Sequence, residues 1–235
     1  MEPSFTRTSR LVLDTTREPW PFARIHAAQI ARHWSRRVAE NPAFYDGEVH
    51  VLRALDQIAS GLHATLSLER FSAFLYWRDG MADDPGILDA FASAVVRSAE
   101  GHVVLGRAAA GTLSAGRLFL PGGFLDARDV SPSGTIDLAA AVSRELCEET
   151  GIDTTALQRS PGAIVVRHGR YCCFAVEYRS PLSSEKLVTA MTQAARSRGD
   201  GELSGLVVAR TADDLAGQDA LPHASFLVAR VLAGE

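Results

Sequence analysis

The residues that most plainly invite chemistry are Arg144-Glu145-Leu146-Cys147-Glu148-Glu149-Thr150-Gly151-Ile152. In a helix, side chains three and four apart share a face, so Glu145, Glu148 and Glu149 converge on one stripe. A helix C-terminus is already the negative end of the dipole, so acids there repel both one another and the backbone. Arg144 reaches Glu148 at i+4, but one guanidinium does not balance three carboxylates. A divalent cation does, and all-oxygen ligands suit Mg²⁺, with Mn²⁺ as an alternative, usually shared with substrate phosphates. The opposite stripe, Leu138, Ala141, Val142 and Leu146, is apolar. The helix therefore packs on a sheet and turns its acids to a cleft. The competing interpretation is a solvated acidic surface helix.

The surrounding chain must position that helix. Asp137–Thr150 reads as helical and Gly151 as its left-handed C-cap. Ahead of it, Ala92–Arg97 and His102–Gly106 flank a turn at Glu100-Gly101 and read as a hairpin. Arg117–Leu120 is a short strand running into Pro121-Gly122-Gly123. Behind it, Ala163–Val166 and Tyr171–Tyr178 are strands and Ser183–Arg196 is a helix. Leu206–Ala209 is a last strand and His223–Leu232 a last helix. In the first part of the chain, Arg10–Leu13, Glu48–Leu52 and Leu62–Leu68 read as strands. Pro21 opens a helical stretch over Ala23–Glu40, and Phe71–Trp77 fits either state. Asp83-Asp84-Pro85-Gly86 marks a boundary. Strands and helices mix without regular βαβ alternation, which predicts an α+β fold.

These residues resemble the Nudix box, G-x5-E-x7-R-E-U-x-E-E-x-G-U, where U is a bulky aliphatic residue. Arg144, Glu145, Leu146, Glu148, Glu149, Gly151 and Ile152 match its second half at every defined position. Phe119-Leu120-Pro121-Gly122-Gly123 is similar to the family's strand into a Gly-Gly loop. The resemblance covers roughly residues 88–235 and leaves 1–87 as an N-terminal extension or subdomain. It implies a Nudix-type α/β/α sandwich with a mixed sheet. The first half departs: Gly123 precedes Arg144 by 21 positions, seven more than the motif, and its leading Glu falls on Ile136. Asp126, Asp129 and Asp137 are the candidates to replace it.

The resemblance implies a Mg²⁺-dependent pyrophosphohydrolase acting on a nucleoside diphosphate joined to another moiety: a sugar nucleotide, ADP-ribose, a dinucleotide or coenzyme A. The implied metal ligands are Glu145, Glu148, Glu149 and the Gly122 carbonyl. The implied catalytic residues are Glu148, Glu149 and Arg144, the last orienting the glutamates. Glu202, on the polar stretch 197–204, is the loop candidate for general base, with Glu177 a weaker one. The displaced leading Glu motivates a second interpretation, a non-catalytic nucleotide-sensing or partner-binding module. Three retained acids speak against it.

Composition bounds the partners. The chain has 235 residues, 46% of them hydrophobic, and a net charge of −4. Without a polybasic block, nucleic acid is disfavoured, while a small anionic ligand is not. No apolar run approaches the roughly 20 residues of a spanning helix, and the N-terminus lacks the apolar segment of a signal peptide. A cytoplasmic protein with no membrane partner is expected, and a homodimer is compatible with the sequence. Cys147, Cys172 and Cys173 lack metal-ligand spacing and are expected to be reduced structural thiols. Trp20, Trp34, Phe71, Tyr76 and Trp77 are expected in a core rather than against a nucleobase. Arg107 and Arg117 are further phosphate-binding candidates, Arg167 and Arg170 are expected to be solvated, and His223 is expected to pack.

Overall fold

The structure is a computed structural model that describes residues 2–198 and 201–235. Its elements, in chain order, begin with β1 (Ser4–Thr8), β2 (Leu11–Thr16), α1 (Pro21–Ile25) and α2 (Ala27–Glu40). Next come β3 (Glu48–Ile58), β4 (Gly61–Arg70), α3 (Phe71–Arg78), β5 (Leu88–Arg97) and β6 (Val103–Ala108). The motif region holds β7 (Leu118–Phe119), β8 (Gly122–Phe124) and α4 (Leu138–Thr150). The chain closes with β9 (Gln158–Arg159), β10 (Ala163–His168), β11 (Tyr171–Arg179), α5 (Ser184–Arg198), β12 (Leu203–Ala209) and α6 (Pro222–Leu232).

One mixed sheet runs β1-β10-β11-β5-β3-β4-β2, and β12, β6 and β7 continue from β5. Strand β5 is its organiser. Along one edge it pairs in parallel with β11 from Tyr171↔Asp89 to Arg179↔Arg97. Its other edge is shared in turn by β3 at Asp89, β8 at Phe91–Ser93 and β6 at Val96–Arg97. Alternate β5 residues face opposite ways. Ala90, Ala92, Ala94 and Val96 enter a core with Ala141, Val142 and Leu146 of α4 and Leu187 and Met191 of α5. Val95 enters a second core with Leu227, Val228 and Val231 of α6. The expected layers, helix on sheet on helix, are present.

Residues 1–87 share this sheet rather than standing apart from it. Strand β1 borders β10, β3 borders β5, and Leu13, Leu52 and Leu66 lie in the same core as α4. Trp20, Phe71, Tyr76 and Trp77 are buried together under α1–α3, with Trp34 packed at the margin, so the aromatics are core as expected. Cys172 and Cys173 are both buried but on opposite faces, and burial raises both thiols, Cys173 to about 12.

Several boundaries differ from the expectation. The stretch Ala23–Glu40 is two helices, because His26 leaves helical geometry between them. Phe71–Trp77 is helical. Strands β3 and β12 are longer than their apolar runs, since sheet pairing carries residues such as Asp56 and Gly205. Arg170 is not simply solvated: it donates to the Trp77 carbonyl at 2.8 Å and to Asp83 at 2.9 Å, tying the β10–β11 turn to the N-terminal segment.

Candidate active site

Helix α4 begins at Asp137, whose carboxylate caps the Ala140 N–H at 3.0 Å. It ends at Gly151 with φ +69°, where a Cβ would stand 2.5 Å from that of Ala194. Asp137 therefore caps the helix and does not stand in for the missing Glu. Ile136, where the motif would place that Glu, is 4% exposed and belongs to the core.

The inserted loop supplies another acid. Ala127–Asp129 form a short 3-10 turn in which Asp126 accepts from the Arg128 N–H and Asp129 accepts from the Asp126 N–H. Beyond it the loop is stitched to β2: the Ile136 N–H donates to the Leu13 carbonyl and Thr15 to that of Gly134. The turn is thereby aimed at α4, and Arg144 donates to both oxygens of the buried Asp129, at 2.9 and 3.1 Å. Both bonds come from one guanidinium nitrogen, which leaves the other terminal nitrogen for the helix acids. Arg144 also donates to Glu145 at 2.5 Å and Glu148 at 3.3 Å. Burial works to lower the Arg144 pKa, but the hydrogen bond with Asp129 and the charges of Glu145 and Asp129 outweigh it, and the net shift is upward.

The Gly-Gly strand closes the site from the other side. Gly122 has φ +153°, and a Cβ there would meet the Ala92 carbonyl oxygen at 2.1 Å. Its N–H donates to Glu149 at 3.0 Å. A Cβ on Gly123 would lie 2.4 Å from a carboxylate oxygen of Glu145. Gly122 needs glycine for its backbone geometry and for space, while a Cβ at Gly123 would displace the Glu145 carboxylate.

Burial, with repulsion from Glu148 and Glu202, raises the Glu145 carboxyl against the pull of Arg144. Glu149 is raised well above its ordinary value, first by burial and then by Glu202, Glu145 and Glu148, with the Gly122 N–H opposing. Each acid feels the others, and Glu202 joins them. Glu202 also shares with Glu149 the wall of a small cavity of about 250 Å³. Part of the 197–204 stretch lies outside the described residues, but Glu202 itself is within them.

Among the described residues, no three His, Cys, Asp or Glu side chains stand in a ready ligating group. The physical reason is visible: Arg144 holds Glu145 and Glu148, and the Gly122 amide holds Glu149. The donor set is nevertheless all oxygen and short of positive charge, with two partly or fully buried carboxyls raised by their neighbours. These residues fit a divalent cation on chemistry.

A larger cavity of about 470 Å³ opens beside the acids and is bordered by Glu145, Glu148, Glu202 and Gly123. Arg78 of α3 and His223 of α6 also border it, so the N-terminal segment completes the wall. The remaining candidates are engaged elsewhere. Arg107 donates to the Gly116 carbonyl and Gln218, and Arg117 to Asp219 and the Ala220 carbonyl. Glu177 is buried in ion pairs with Arg7, Arg97 and Arg179. His223 is buried and packs on Phe91 and Tyr171. Asp89, also on the cavity wall and buried, is absent from any motif; its one signal is a charged residue at an inward position of the apolar run Leu88–Val96.

Fold and site thus define a layered α/β domain whose acid-rich helix end faces a cavity. Residues 89–181 match the family model described as the NUDIX domain, and this segment is identified as a Nudix domain. Solved structures similar to the chain include a Deinococcus radiodurans protein, at 18% identity and TM-score 0.43, covering 63% of this chain and 87% of that one. The MutT protein from Methanosarcina mazei matches at 19% identity and TM-score 0.39, covering 62% and 93%. A bifunctional NMN adenylyltransferase/ADP ribose pyrophosphatase from Francisella tularensis matches at 16% and 0.43, covering 68% and 46%. No curated protein matches the sequence. Among the described residues, no helix is long and apolar enough to cross a membrane.

Proposed function

We propose that this Nudix pyrophosphohydrolase is Mg²⁺-dependent and cleaves the diphosphate of a nucleoside diphosphate joined to a second moiety, of the sugar nucleotide, ADP-ribose, dinucleotide or coenzyme A type. The observation that carries this reading is the gathering of Glu145, Glu148 and Glu202 on the wall of a 470 Å³ cavity, with the buried Glu149 repelled by all three and Arg144 already committed to Asp129. A site that gathers excess negative charge beside a ligand-sized cavity is suited to a polyanion that arrives with a cation.

Glu145, Glu148, Glu149 and the Gly122 carbonyl are the groups that would hold the cation. Mg²⁺, or Mn²⁺ in its place, would supply neutralisation of the diphosphate and a lowered pKa for an attacking water. Arg144 fixes the rotamers of Glu145 and Glu148. Asp129 fixes Arg144, taking the part the motif gives to its leading Glu. Glu202 accepts the proton of the attacking water, and Glu148, the most exposed of the motif acids, faces the substrate.

Product analysis with purified protein tests the reading, using UDP-sugars, GDP-sugars, ADP-ribose, NADH, coenzyme A, dinucleoside polyphosphates and nucleoside triphosphates with and without Mg²⁺. The expected result is metal-dependent cleavage of a nucleoside diphosphate derivative, reduced roughly a thousandfold by Glu148→Gln. Unchanged turnover in Glu148→Gln overturns the site assignment.

A further inference from the structure

The end of the cavity away from the acids contains polar atoms without partners. Among the described residues, Asp89 Oδ1 and His223 Nδ1 are buried and make no hydrogen bond. Both residues border the cavity. The cation beside Asp89 is Arg78, whose Nε stands 3.8 Å from Oδ2, too far for a hydrogen bond. Burial pushes the Asp89 carboxyl up to about 6. It pushes His223 down to about 3, with His168, Arg78 and Arg117 adding to the effect. At neutral pH the site therefore holds a carboxylate that only accepts and an uncharged imidazole.

Aromatic side chains line the cavity beside these atoms, with ring planes inclined to one another by 48° to 79°. The rings of Phe91 and His223 are 4.7 Å apart, those of Tyr171 and His223 4.9 Å, and those of Phe91 and Tyr171 6.3 Å. Asp89, Phe91 and Ser93 alternate along β5 onto this same face, and Ser93 pairs with Gly122 at the acid end. Four strand residues span about 13 Å, the reach of a nucleoside from its diphosphate to the far edge of its base.

We propose that this end of the cavity is a base-recognition subsite, in which Asp89 and His223 read a nucleobase whose edge carries adjacent N–H donors, so that guanine is preferred. The proposal rests on the reading above insofar as the acid end takes the diphosphate. Guanine sets its N1–H beside its amino group, and a carboxylate accepts from both. Uracil offers one N–H between two carbonyls. Adenine and cytosine place a bare ring nitrogen beside the amino group, where its lone pair meets the carboxylate. Asp89 needs only a turn about its last torsion, which is broad for a carboxylate, to present Oδ1 to the base. A sugar would satisfy the acceptor but not the aromatic side chains of Phe91 and Tyr171 on the same wall.

Calorimetric titration of the full chain with GDP, UDP, ADP and CDP in Mg²⁺ buffer tests this. The expected order is GDP first, UDP second, and ADP and CDP at least tenfold weaker than GDP. Asp89→Asn should cost GDP at least tenfold and leave ADP within about twofold, while melting no lower than the native protein because a buried charge is gone. Should Asp89→Asn fail to fold, His223→Phe keeps the ring packing and should weaken GDP several-fold with ADP unchanged. Equal affinities for the four diphosphates, no binding at all, or a ranking preserved in the folded variants would overturn the proposal. A GDP preference lost in Asp89→Asn, found together with no hydrolysis of any substrate, would uphold the subsite and remove the catalytic reading instead. Mg²⁺-dependent hydrolysis with no base preference would do the reverse.

Discussion

The two ends of one cavity are prepared in opposite ways. At the acid end every carboxylate is held: Asp129 and Glu145 by Arg144, Glu149 by the Gly122 amide. What is unresolved there is net charge. At the Asp89–His223 end charge is sparse, and what is unresolved is hydrogen bonding. On the proposed function, the first arrangement would select a ligand by its cation and phosphates, indifferent to what else the ligand carries. The second discriminates between ligands of equal charge, because a buried donor or acceptor penalises any partner that fails to match it.

The comparison can be pressed by removing one charge at each end. Arg144→Met strips the cation from Asp129, Glu145 and Glu148, and should cost about 3 kcal/mol in urea denaturation, part of it regained on adding Mg²⁺. Equal stability of variant and native protein would mean that the acids are adequately solvated without the arginine. At the other end the sign reverses. The folded Asp89 carboxyl titrates near 6 and the unfolded one near its ordinary value. The folded state thus binds more protons between those values, and stability falls as pH rises through about 4 to 6. Asp89→Asn removes that slope, and should gain on the order of 3 kcal/mol at pH 7 and nothing below about pH 4. A variant less stable than the native protein at pH 7 would make Asp89 a structural partner of Arg78. The smallest effect is expected at Asp129, which acts through Arg144. Asp129→Asn should lower kcat about tenfold with KM little changed, and Asp129→Glu should recover part of it. A loss in KM alone would place Asp129 against substrate rather than behind the arginine.

The acid end was legible in the sequence because its chemistry is local. Arg144, Glu145, Glu148 and Glu149 share one helix, whose start and stop are announced by Asp137 and Gly151. The layered fold followed from that helix and the strands around it. Asp129 was legible only as one of several loop acids, since its pairing with Arg144 depends on the stitching of Ile136 and Gly134 to β2, far away in sequence. Asp89 and His223 reach the same cavity from β5 and α6, separated by most of the domain, and no spacing rule connects them. The break at His26 and the extra length of β3 were hidden for a related reason: tertiary pairing outweighed the local apolar pattern. Strand β1 gave no alternation strong enough to be read and owes its existence to β10.

That last strand has a further consequence. β1 lies along β10 at one side of the sheet's middle, and β3 lies along β5 at another. Both guards come from residues 1–87. A chain cut at residue 88 would bare the outer edge of β10 and part of β5 together, two rows of unsatisfied amides and carbonyls available to neighbouring molecules. The N-terminal segment therefore moves the open end of the sheet from the apolar β10 to β1, a shorter strand that carries Arg7 and two threonines.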